Sequence, residues 1–184
     1  MNPLNLFTFI VRSPKGRNGT NSCRCGYMDN PLLACAKAPR CGRDYQARIS
    51  GPMFDRIDLH IEVPALAPQE MTQPSTGEQR AAVAARVASA REIQAERFAG
   101  QKQAGLRTNS EAEGEVLDKI AAVDDQGREL LLRATERLHL TARGYHRILR
   151  VARTIADLAG AGQISRAHIG EAISFRRVAL ERKG

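Results

Sequence analysis

The chain contains no tryptophan, and aromatic residues make up only 4% of its 184 residues. Because single strands are often bound by stacking bases on aromatic side chains, this scarcity argues against a stacking platform. The sequence has no apolar run near the roughly 20 residues that a membrane-spanning helix needs. Its start, MNPLNLFTFIVRSPKG, has a short apolar part and no small-residue cleavage site, so it does not predict a signal peptide. We therefore expect a cytoplasmic protein.

Lysine is also scarce: 5 lysines stand beside 23 arginines, and the net charge at pH 7 is +8. Guanidinium groups suit paired hydrogen bonds to phosphate and carboxylate better than ammonium groups do. Nucleic acid, a nucleotide or an acidic protein are therefore the candidate partners. An arginine-rich surface that merely reflects a GC-rich genome explains the same excess, so the charge alone does not identify the partner.

The sequence divides into two regions of different composition. Residues 1–76 are rich in proline, glycine and asparagine and contain all four cysteines, whereas residues 77–184 are dominated by alanine, arginine, leucine and glutamate. A polar linker with prolines, residues 65–79, lies between them. We predict two domains, residues 1–70 and residues 71–184.

Two segments of the first region predict β-strands. FTFIV, residues 7–11, is short and rich in aromatic and β-branched residues. DRIDLHIEV, residues 55–63, alternates apolar and polar residues, as a strand with two different faces does. The segment between them is rich in turn-forming residues, and we expect little regular structure there.

The second region predicts four or five helices. Capping residues and glycines mark their ends. A region of about 100 residues is large enough for its own hydrophobic core, so we expect residues 77–180 to fold independently as an all-α bundle. The predicted helices cover about 77–103, 111–122, 126–138, 142–159 and 166–180.

The predicted helix 142–159 carries four arginines beside a complete apolar stripe. Arg143, Arg147 and Arg150 fall together on one face next to the stripe, whereas Arg153 is placed to pair with Asp157 one turn later. The stripe follows the i, i+3, i+4, i+7 pattern of a core-facing helix. It comprises Tyr145, Ile148, Leu149, Ala152, Ile155, Ala156 and Ala159.

Arg143 lies in the first turn of this helix, where unpaired backbone N–H groups and the helix dipole already favour an anion. A cation there is unfavourable for the helix itself by roughly 0.3–1 kcal/mol. Its presence makes sense if a phosphate arrives to contact both the guanidinium and the helix end. The alternative is a solvated arginine whose position costs little.

The four cysteines follow the pattern C-x-C…C-x5-C. Cytoplasmic cysteines stay reduced, so these are free thiols or metal ligands, and four thiolates match a closed tetrahedral zinc site. The alternative is four reduced, unligated cysteines. The scattered histidines, His60, His139, His146 and His168, are not expected to be ligands. The zinc candidates are Cys23, Cys25, Cys35 and Cys41. Basic neighbours should lower the pKa values of these thiols: Arg24, Lys37, Arg40 and Arg43.

Two long segments resemble the magnesium-chelatase-like AAA+ ATPases, and among these the competence-associated bacterial branch. TARGYHRILRVARTIADLAG followed by ISRAHIGEAISFRR resembles the lid-domain signature of that family. RISGPMFDRIDLHIEVP, residues 48–64, resembles the segment that closes its ATPase core. NSCRCGY, residues 21–27, resembles a cysteine-bearing motif after the fourth core strand, with Ser22 and Arg24 in place of the family's two prolines. The resemblance covers nearly everything from about residue 21 onward.

The resemblance implies three nucleotide-facing roles. Asn21 falls at the sensor-1 position, which orients the attacking water. Arg56 falls at the arginine-finger position, which reaches the γ-phosphate bound to a neighbouring subunit, and Arg48 is the second candidate for this role. Arg143 falls at sensor 2, the lid arginine that contacts nucleotide phosphate and stabilises charge on the transferring phosphoryl group. Arg143 and Arg147 are therefore the predicted ATP-contacting residues.

The sequence lacks the other catalytic motifs of this family. It has no G-x-x-x-x-G-K-[ST] phosphate-binding loop and no apolar strand that ends in paired acidic residues, so it resembles the C-terminal part of a longer ATPase. We expect no ATP hydrolysis by this chain alone, and weak or absent ATP binding. The strand at 55–63 would belong to a parallel sheet whose central members are missing, so we expect residues 1–70 to be poorly ordered or rearranged.

The resulting fold prediction is mainly α, with a C-terminal lid bundle of four to five helices after a partial α/β core remnant that carries a cysteine-rich loop. The predicted function is the sensor and lid region of an AAA+ ATPase, which implies a ring with other AAA+ subunits and, in the competence branch, work on DNA. One alternative is an interaction domain without a ligand, left by a truncated gene. Another is a nucleic-acid-binding module, a basic zinc knuckle and helical bundle whose phosphate contacts are Arg147, Arg150, Arg176 and Arg177.

Overall fold

The computed structural model of the chain describes residues 7–12, 16–20, 23–26, 35–48, 56–63, 71–72, 77–99 and 105–176. The chain divides into two compact units, residues 1–75 and 76–184. The described residues are mainly helical, which confirms the predicted fold class. The strands are β1 (Phe7–Arg12), β2 (Gly16–Thr20) and β3 (Leu59–Val63). The helices are α1 (Arg40–Gln46), α2 (Arg80–Ala99), a 3-10 turn (Asn109–Glu111), α3 (Gly114–Ile120), α4 (Asp125–Arg137), α5 (Ala142–Leu158) and α6 (Arg166–Ser174).

The described strands of the first unit form one three-stranded sheet in the order β2-β1-β3. Both pairings are antiparallel, with Phe9 opposite Gly19 on one side and opposite Ile61 on the other. The expectation of a parallel sheet is therefore wrong for these strands. For β1 and β2 the reason is the short connection of three residues, 13–15, because a parallel pair would need a crossover of about a dozen or more residues. β3 is antiparallel because its described partner is β1.

β2 was not predicted, because its sequence GRNGT contains two glycines and a single β-branched residue and becomes a strand by pairing with β1. β3 lies inside the predicted strand 55–63 but begins at Leu59. Its alternation places His60 at 8% exposure and Ile61 at 36%. Much of the region 1–70, which we expected to be poorly ordered or rearranged, lies outside the described residues. What is described there includes this sheet, α1 and short turns.

α5 is at the centre of the second unit, where it packs against α2, the 3-10 turn, α3 and α6. Its apolar stripe is confirmed: four residues are at most 4% exposed, namely Ile148, Leu149, Ala152 and Ala156. Tyr145 and Ile155 are partly buried against the same core. Ala159 is exposed, contrary to prediction, because α5 has already ended at Leu158. The rest of the core includes Leu117, Leu131, Ile164 and Ile169, each at most 1% exposed.

Capping contacts fix the helix ends that the sequence predicts. The Thr141 hydroxyl accepts a hydrogen bond from the Gly144 N–H at 3.0 Å, and the Asp124 carboxylate accepts one from the Gly127 N–H at 2.6 Å. Gly127 packs so closely that an added Cβ would lie 2.8 Å from Asp124 Oδ1. Gly160 adopts a φ of +66° just after α5, a conformation that glycine adopts without strain.

The predicted bounds of α4 and α5 are correct to within one residue. The predicted helix 111–122 is instead the 3-10 turn followed by α3. The Glu111 carboxylate accepts a hydrogen bond from the Thr108 N–H at 2.9 Å, which closes this turn before α3 begins. α6 ends at Ser174 rather than at 180; residues 177–180 of the predicted helix, like 100–103 after α2, lie outside the described residues.

Candidate metal centre and arginine sites

The four cysteines come together in the first unit. The Sγ atoms of Cys23, Cys25, Cys35 and Cys41 all lie within 4.8 Å of one another, and the first two are 3.1 Å apart. None of these four cysteines is in a disulfide. In a tetrahedral site with zinc–sulfur bonds of about 2.3 Å, the sulfur atoms lie about 3.8 Å apart. The donor set and its size therefore fit a four-thiolate metal centre.

Two turns and the start of α1 build this cluster. Cys23 and Cys25 lie in a turn that is closed by a hydrogen bond from the Gly26 N–H to the Cys23 carbonyl at 3.1 Å. The turn that begins at Cys35 is closed by the Ala38 N–H at 2.8 Å. Cys41 is the second residue of α1. Because C-x-C and C-x5-C place each pair on a local turn, the fold has to bring only two short segments together.

The Cys35 thiol has a shifted pKa. The backbone N–H of Lys37 lowers this pKa, but contacts with the thiols of Cys25 and Cys41, together with burial, outweigh it and raise the pKa to about 11. The prediction that the basic neighbours would lower the thiol pKa values is therefore wrong for Cys35, because crowded thiols favour the neutral form. A metal ion that binds here must displace the Cys35 proton.

Arg143 is the second residue of α5, and its side chain is exposed. It makes no hydrogen bond or ion pair within the part of the chain that the structure describes. The Thr141 hydroxyl accepts a hydrogen bond from the Gly144 N–H at this helix start. The Arg143 guanidinium is therefore open to an anion that approaches from solvent, at the positive end of the helix dipole.

Arg147 and Arg150 follow Arg143 along α5, and both are half-buried. Arg150 Nε donates to the carbonyl of Ala112 at 2.9 Å, and its terminal nitrogen donates to the Glu113 carboxylate at 3.2 Å. These contacts fasten the segment before α3 to α5. The nucleic-acid-module hypothesis named Arg150 as a phosphate contact, but two of its nitrogens are already bonded inside the bundle.

Arg153 is the buried arginine of α5, at 1% exposure. The predicted pair with Asp157 is confirmed: Arg153 Nε donates to the Asp157 carboxylate at 3.0 Å. The remaining guanidinium nitrogens donate to the carbonyl oxygens of Gly162, at 2.8 Å, and Ala161. Arg153 therefore holds the loop after α5 in place and has no nitrogen left for a ligand.

Sequence reasoning did not find the rest of this network. Asp157 also accepts hydrogen bonds from Arg97, at 2.8 Å to one oxygen, and from the Asn109 side chain at 2.7 Å. Asn109 in turn accepts from Arg97 at 2.9 Å and donates to the Thr154 hydroxyl at 3.1 Å. These residues are far apart along the chain, so no local spacing rule connects them; an acidic residue next to a core stripe was the one available signal.

The other predicted catalytic residues belong to the first unit. Asn21 lies outside the described residues. Arg56 is exposed just before β3, and Arg48 is exposed two residues after the end of α1. His168 has a structural role, because its Nδ1 accepts a hydrogen bond from the Ser165 N–H at 3.1 Å and completes the cap of α6. Among the described helices, none combines the length and apolar character needed to cross a membrane.

Two family models match consecutive parts of the chain. The model of the magnesium chelatase subunit ChlI matches residues 18–71, which contain the cysteine cluster. The model of the C-terminal region of the same subunit matches residues 77–176, which contain the helical unit. The division between the two units, after residue 75, falls between the two matches.

Several known proteins are similar to this chain along most of its length. The competence protein ComM of Haemophilus influenzae is 42% identical over 134 residues, which is 72% of this chain and 25% of that protein. The uncharacterized protein YifB of Salmonella typhimurium is 36% identical over 94% of this chain and 31% of its own length. Rv2897c of Mycobacterium tuberculosis is 35% identical over 88% of this chain and 31% of its own length. The chain thus spans about a quarter to a third of these relatives.

Proposed function

Since the chain belongs to the magnesium chelatase ChlI family, in its competence-associated branch, we propose that it is the sensor and lid region of a magnesium-chelatase-like AAA+ ATPase. In this proposal, residues 71–184 are the lid domain and residues 1–70 belong to the ATPase core. The intact machine assembles as a ring with other AAA+ subunits, hydrolyses ATP and processes DNA. The order of the two family matches along the chain supports this division.

The observation that carries the proposal is the contrast among the arginines of α5. Arg150 and Arg153 are bonded within the bundle, whereas Arg143 is exposed at the helix start without a bonded partner among the described residues. A guanidinium next to the unpaired N–H groups of a helix start holds a phosphate from two directions. It also stabilises the charge that develops on a transferring phosphoryl group. We assign Arg143 the sensor-2 role on this ground.

The other residues take supporting roles in the same reaction. Arg147 lies one turn further on α5 and is the second contact for the nucleotide in its own subunit. Arg56 is the arginine finger for the nucleotide of a neighbouring subunit, and its exposure on the first unit is consistent with a contact between subunits. Asn21 orients the attacking water. The chain has no phosphate-binding loop and no magnesium-binding acidic pair, so we expect weak ATP binding and no hydrolysis by this chain alone.

We assign zinc to the cysteine cluster as part of the same proposal. Cys23, Cys25, Cys35 and Cys41 would supply four thiolates, which fill the tetrahedral coordination of zinc and leave no open position for a substrate. The role of the ion is therefore structural. It would join the turn at Cys23 to the start of α1, which no hydrogen-bonded strand connects within the described residues.

The proposal is tested by transferring residues 71–184 into an intact relative of the family and measuring ATP hydrolysis. Arg143→Ala should lower the hydrolysis rate about 10³-fold or more, as loss of a phosphate-contacting arginine does in other ATPases and GTPases. The matched control is Arg128→Ala, which removes an exposed arginine on α4 and should leave the rate unchanged. Equal rates for the Arg143 variant and the parent would remove the sensor-2 assignment.

A second measurement uses the chain itself. Addition of Mg-ATP should shift the backbone amide NMR signals of residues 141–147, and these shifts should disappear in Arg143→Ala. Shifts that stay the same in the variant would show that the nucleotide contacts another part of the molecule.

A further inference from the structure

A cleft of about 680 Å³ opens beside the cysteine cluster in the first unit. Its lining comes from a short part of the chain, between residues 24 and 48. Asp44 is the one acidic residue among the lining residues, whereas five are cationic. The cationic residues are Arg24, Lys37, Arg40, Arg43 and Arg48.

Among the described residues, nothing balances the charges of this cleft. All five cationic side chains are exposed, and none makes an ion pair or a side-chain hydrogen bond within the described residues. Five cations against one carboxylate leave four net positive charges in one cleft. Like charges held this close repel one another in the folded state, and the cleft therefore favours an anion from solvent.

The number of cations and their distribution along the cleft indicate whether a small anion or a polyanion fits it. A free phosphate carries at most two negative charges and would leave part of the cleft uncompensated, whereas a phosphodiester chain presents one charge per nucleotide to successive cations. Four of the five cations are arginines, whose planar donors match phosphate oxygens. A repeating polyanion therefore fits the charge of the cleft better than a small one does.

The shape of the cleft and the aromatic residue among its described lining residues indicate which kind of polyanion binds there. Tyr45 lines the cleft and is half-buried, so part of its side chain is accessible to a base. A concave groove with positive walls and an aromatic side chain is the arrangement by which proteins hold single strands. Since the described lining residues include one aromatic ring, most of the binding free energy should come from the phosphates, in keeping with the scarcity of aromatic residues in the chain.

We propose that this cleft binds a single strand of nucleic acid, with its phosphates on Arg40, Arg43 and Arg48 and one base against Tyr45. The choice of nucleic acid among polyanions rests on the DNA-processing role in the proposed function, whereas the choice of residues rests on the cleft alone. Cys41 belongs both to the cysteine cluster and to the lining of the cleft. A metal ion at the cluster would therefore fix α1 and with it the two arginines of that helix.

The test is fluorescence anisotropy of a labelled 12-nucleotide oligothymidylate titrated with the chain at several salt concentrations. Contacts to three phosphates, one on each of Arg40, Arg43 and Arg48, predict a slope of about −2.1 for the logarithm of the association constant against the logarithm of salt concentration. Arg40→Gln with Arg43→Gln should make this slope shallower by about 1.4 and weaken binding about tenfold or more in low salt. Tyr45→Leu should weaken binding about fivefold or more without a change of slope.

The matched control removes two exposed arginines from α4 in the other unit, Arg128→Gln with Arg137→Gln. This control has the same net charge as the cleft variant. Its affinity for the oligonucleotide should stay within about twofold of the parent's, because moderate salt screens charges that do not contact the strand. Arg40→Lys with Arg43→Lys should restore the slope because each contact is again a cation. If the cleft variant fails to fold by circular dichroism, Arg48→Gln, outside α1, tests the same cleft.

Four results would overturn the inference. The first is that the oligonucleotide does not bind in low salt, and the second is that the control and the cleft variant lose equal affinity. The third is that a duplex of the same length binds equally tightly and depends equally on the arginines. The fourth is that millimolar ATP displaces the strand. The third would make the ligand a duplex, and the fourth would make the cleft a nucleotide site. None of them affects the ATP-hydrolysis test of Arg143, which concerns a different unit of the chain.

Discussion

Arg97, near the end of α2, donates hydrogen bonds from both terminal nitrogens to the carboxylate of Asp157, 60 residues further along the chain. The Asp157 side chain is fully buried, and it also accepts hydrogen bonds from Asn109 and Arg153. One carboxylate therefore ties α2, the 3-10 turn and α5 together. The buried charge is balanced by two guanidinium groups, which is the condition under which such a group is tolerated.

Replacement of the Asp157 carboxylate should lower the free energy of unfolding. Asp157→Asn keeps the shape of the side chain but leaves the guanidinium groups of Arg97 and Arg153 without a counter-charge, so the free energy of unfolding should fall by about 3–5 kcal/mol. Urea denaturation followed by circular dichroism measures this. The control is Glu129→Gln, which breaks an exposed pair with Arg133 and should cost less than about 0.5 kcal/mol. Similar losses in both variants would contradict the role of Asp157.

The same carboxylate makes stability depend on pH. Burial raises the pKa of Asp157, but hydrogen bonds from Arg97 and Asn109 and the charges of Arg153 and Arg97 outweigh burial and hold it below its usual value. Because the folded pKa is the lower one, the contribution to stability is complete above the unfolded pKa of about 3.9 and is lost as the pH falls through the folded pKa.

Acid titration of the free energy of unfolding checks this sign. The parent chain should lose stability steeply below about pH 4, and Asp157→Asn should lose less over the same range because it has no carboxylate to protonate. An equally steep acid limb in the variant would show that other carboxylates dominate the acid unfolding.

The α5 stripe makes the bundle sensitive to charge at particular positions. Ile148 is 0% exposed, and Ile148→Asp would bury a carboxylate with no partner, so the bundle should be unfolded or severely destabilised at 25 °C. Leu132 on α4 is 54% exposed, and Leu132→Asp is the matched control, which should melt close to the parent. A normal cooperative melting curve for the Ile148 variant would refute the packing of α5.

Two arginines on the same helix should respond in opposite ways to truncation. Arg143→Ala removes an exposed cation from the positive end of α5, so stability should be unchanged or rise by up to about 1 kcal/mol. Arg153→Ala removes a buried partner of Asp157 and two contacts to loop carbonyls, so it should cost about 3–5 kcal/mol. Thermal melts of the two variants compare them directly, and a destabilised Arg143 variant would mean that this side chain is structural.

Metal content tests the cysteine cluster. The purified chain should contain zinc in equal molar amount by atomic emission, and Cys35→Ser should lose most of it because a closed site needs all four thiolates. Chelation should expose the thiols and lead the chain to take up protons, since the Cys35 pKa of about 11 means that this thiol is protonated without a metal. Full reactivity of all four thiols in the untreated chain would argue for unligated cysteines.

The prediction of the helical unit from sequence succeeded where the signal was local. Thr141 and Asp124 were recognisable as helix caps because a side-chain oxygen needs only the N–H three residues later. The sheet was predicted less well, because β2 has almost no strand propensity of its own and depends on a partner strand. The parallel arrangement was wrong for the same reason: the strand direction is decided by the partners that are present.

The sequence by itself determined the apolar stripe of α5, the capping of its start at Thr141 and the supply of four thiols with short spacings. Each depends on neighbours within a few residues, which chain geometry fixes in advance. Only the tertiary structure decided which arginine of α5 is buried and bonded and which is exposed. Arg153 is buried against Asp157, which Arg97 and Asn109 also contact from distant parts of the chain. Arg143 stays open to solvent because no described acidic group packs over the start of α5, and that difference arises from packing, which a linear pattern does not contain.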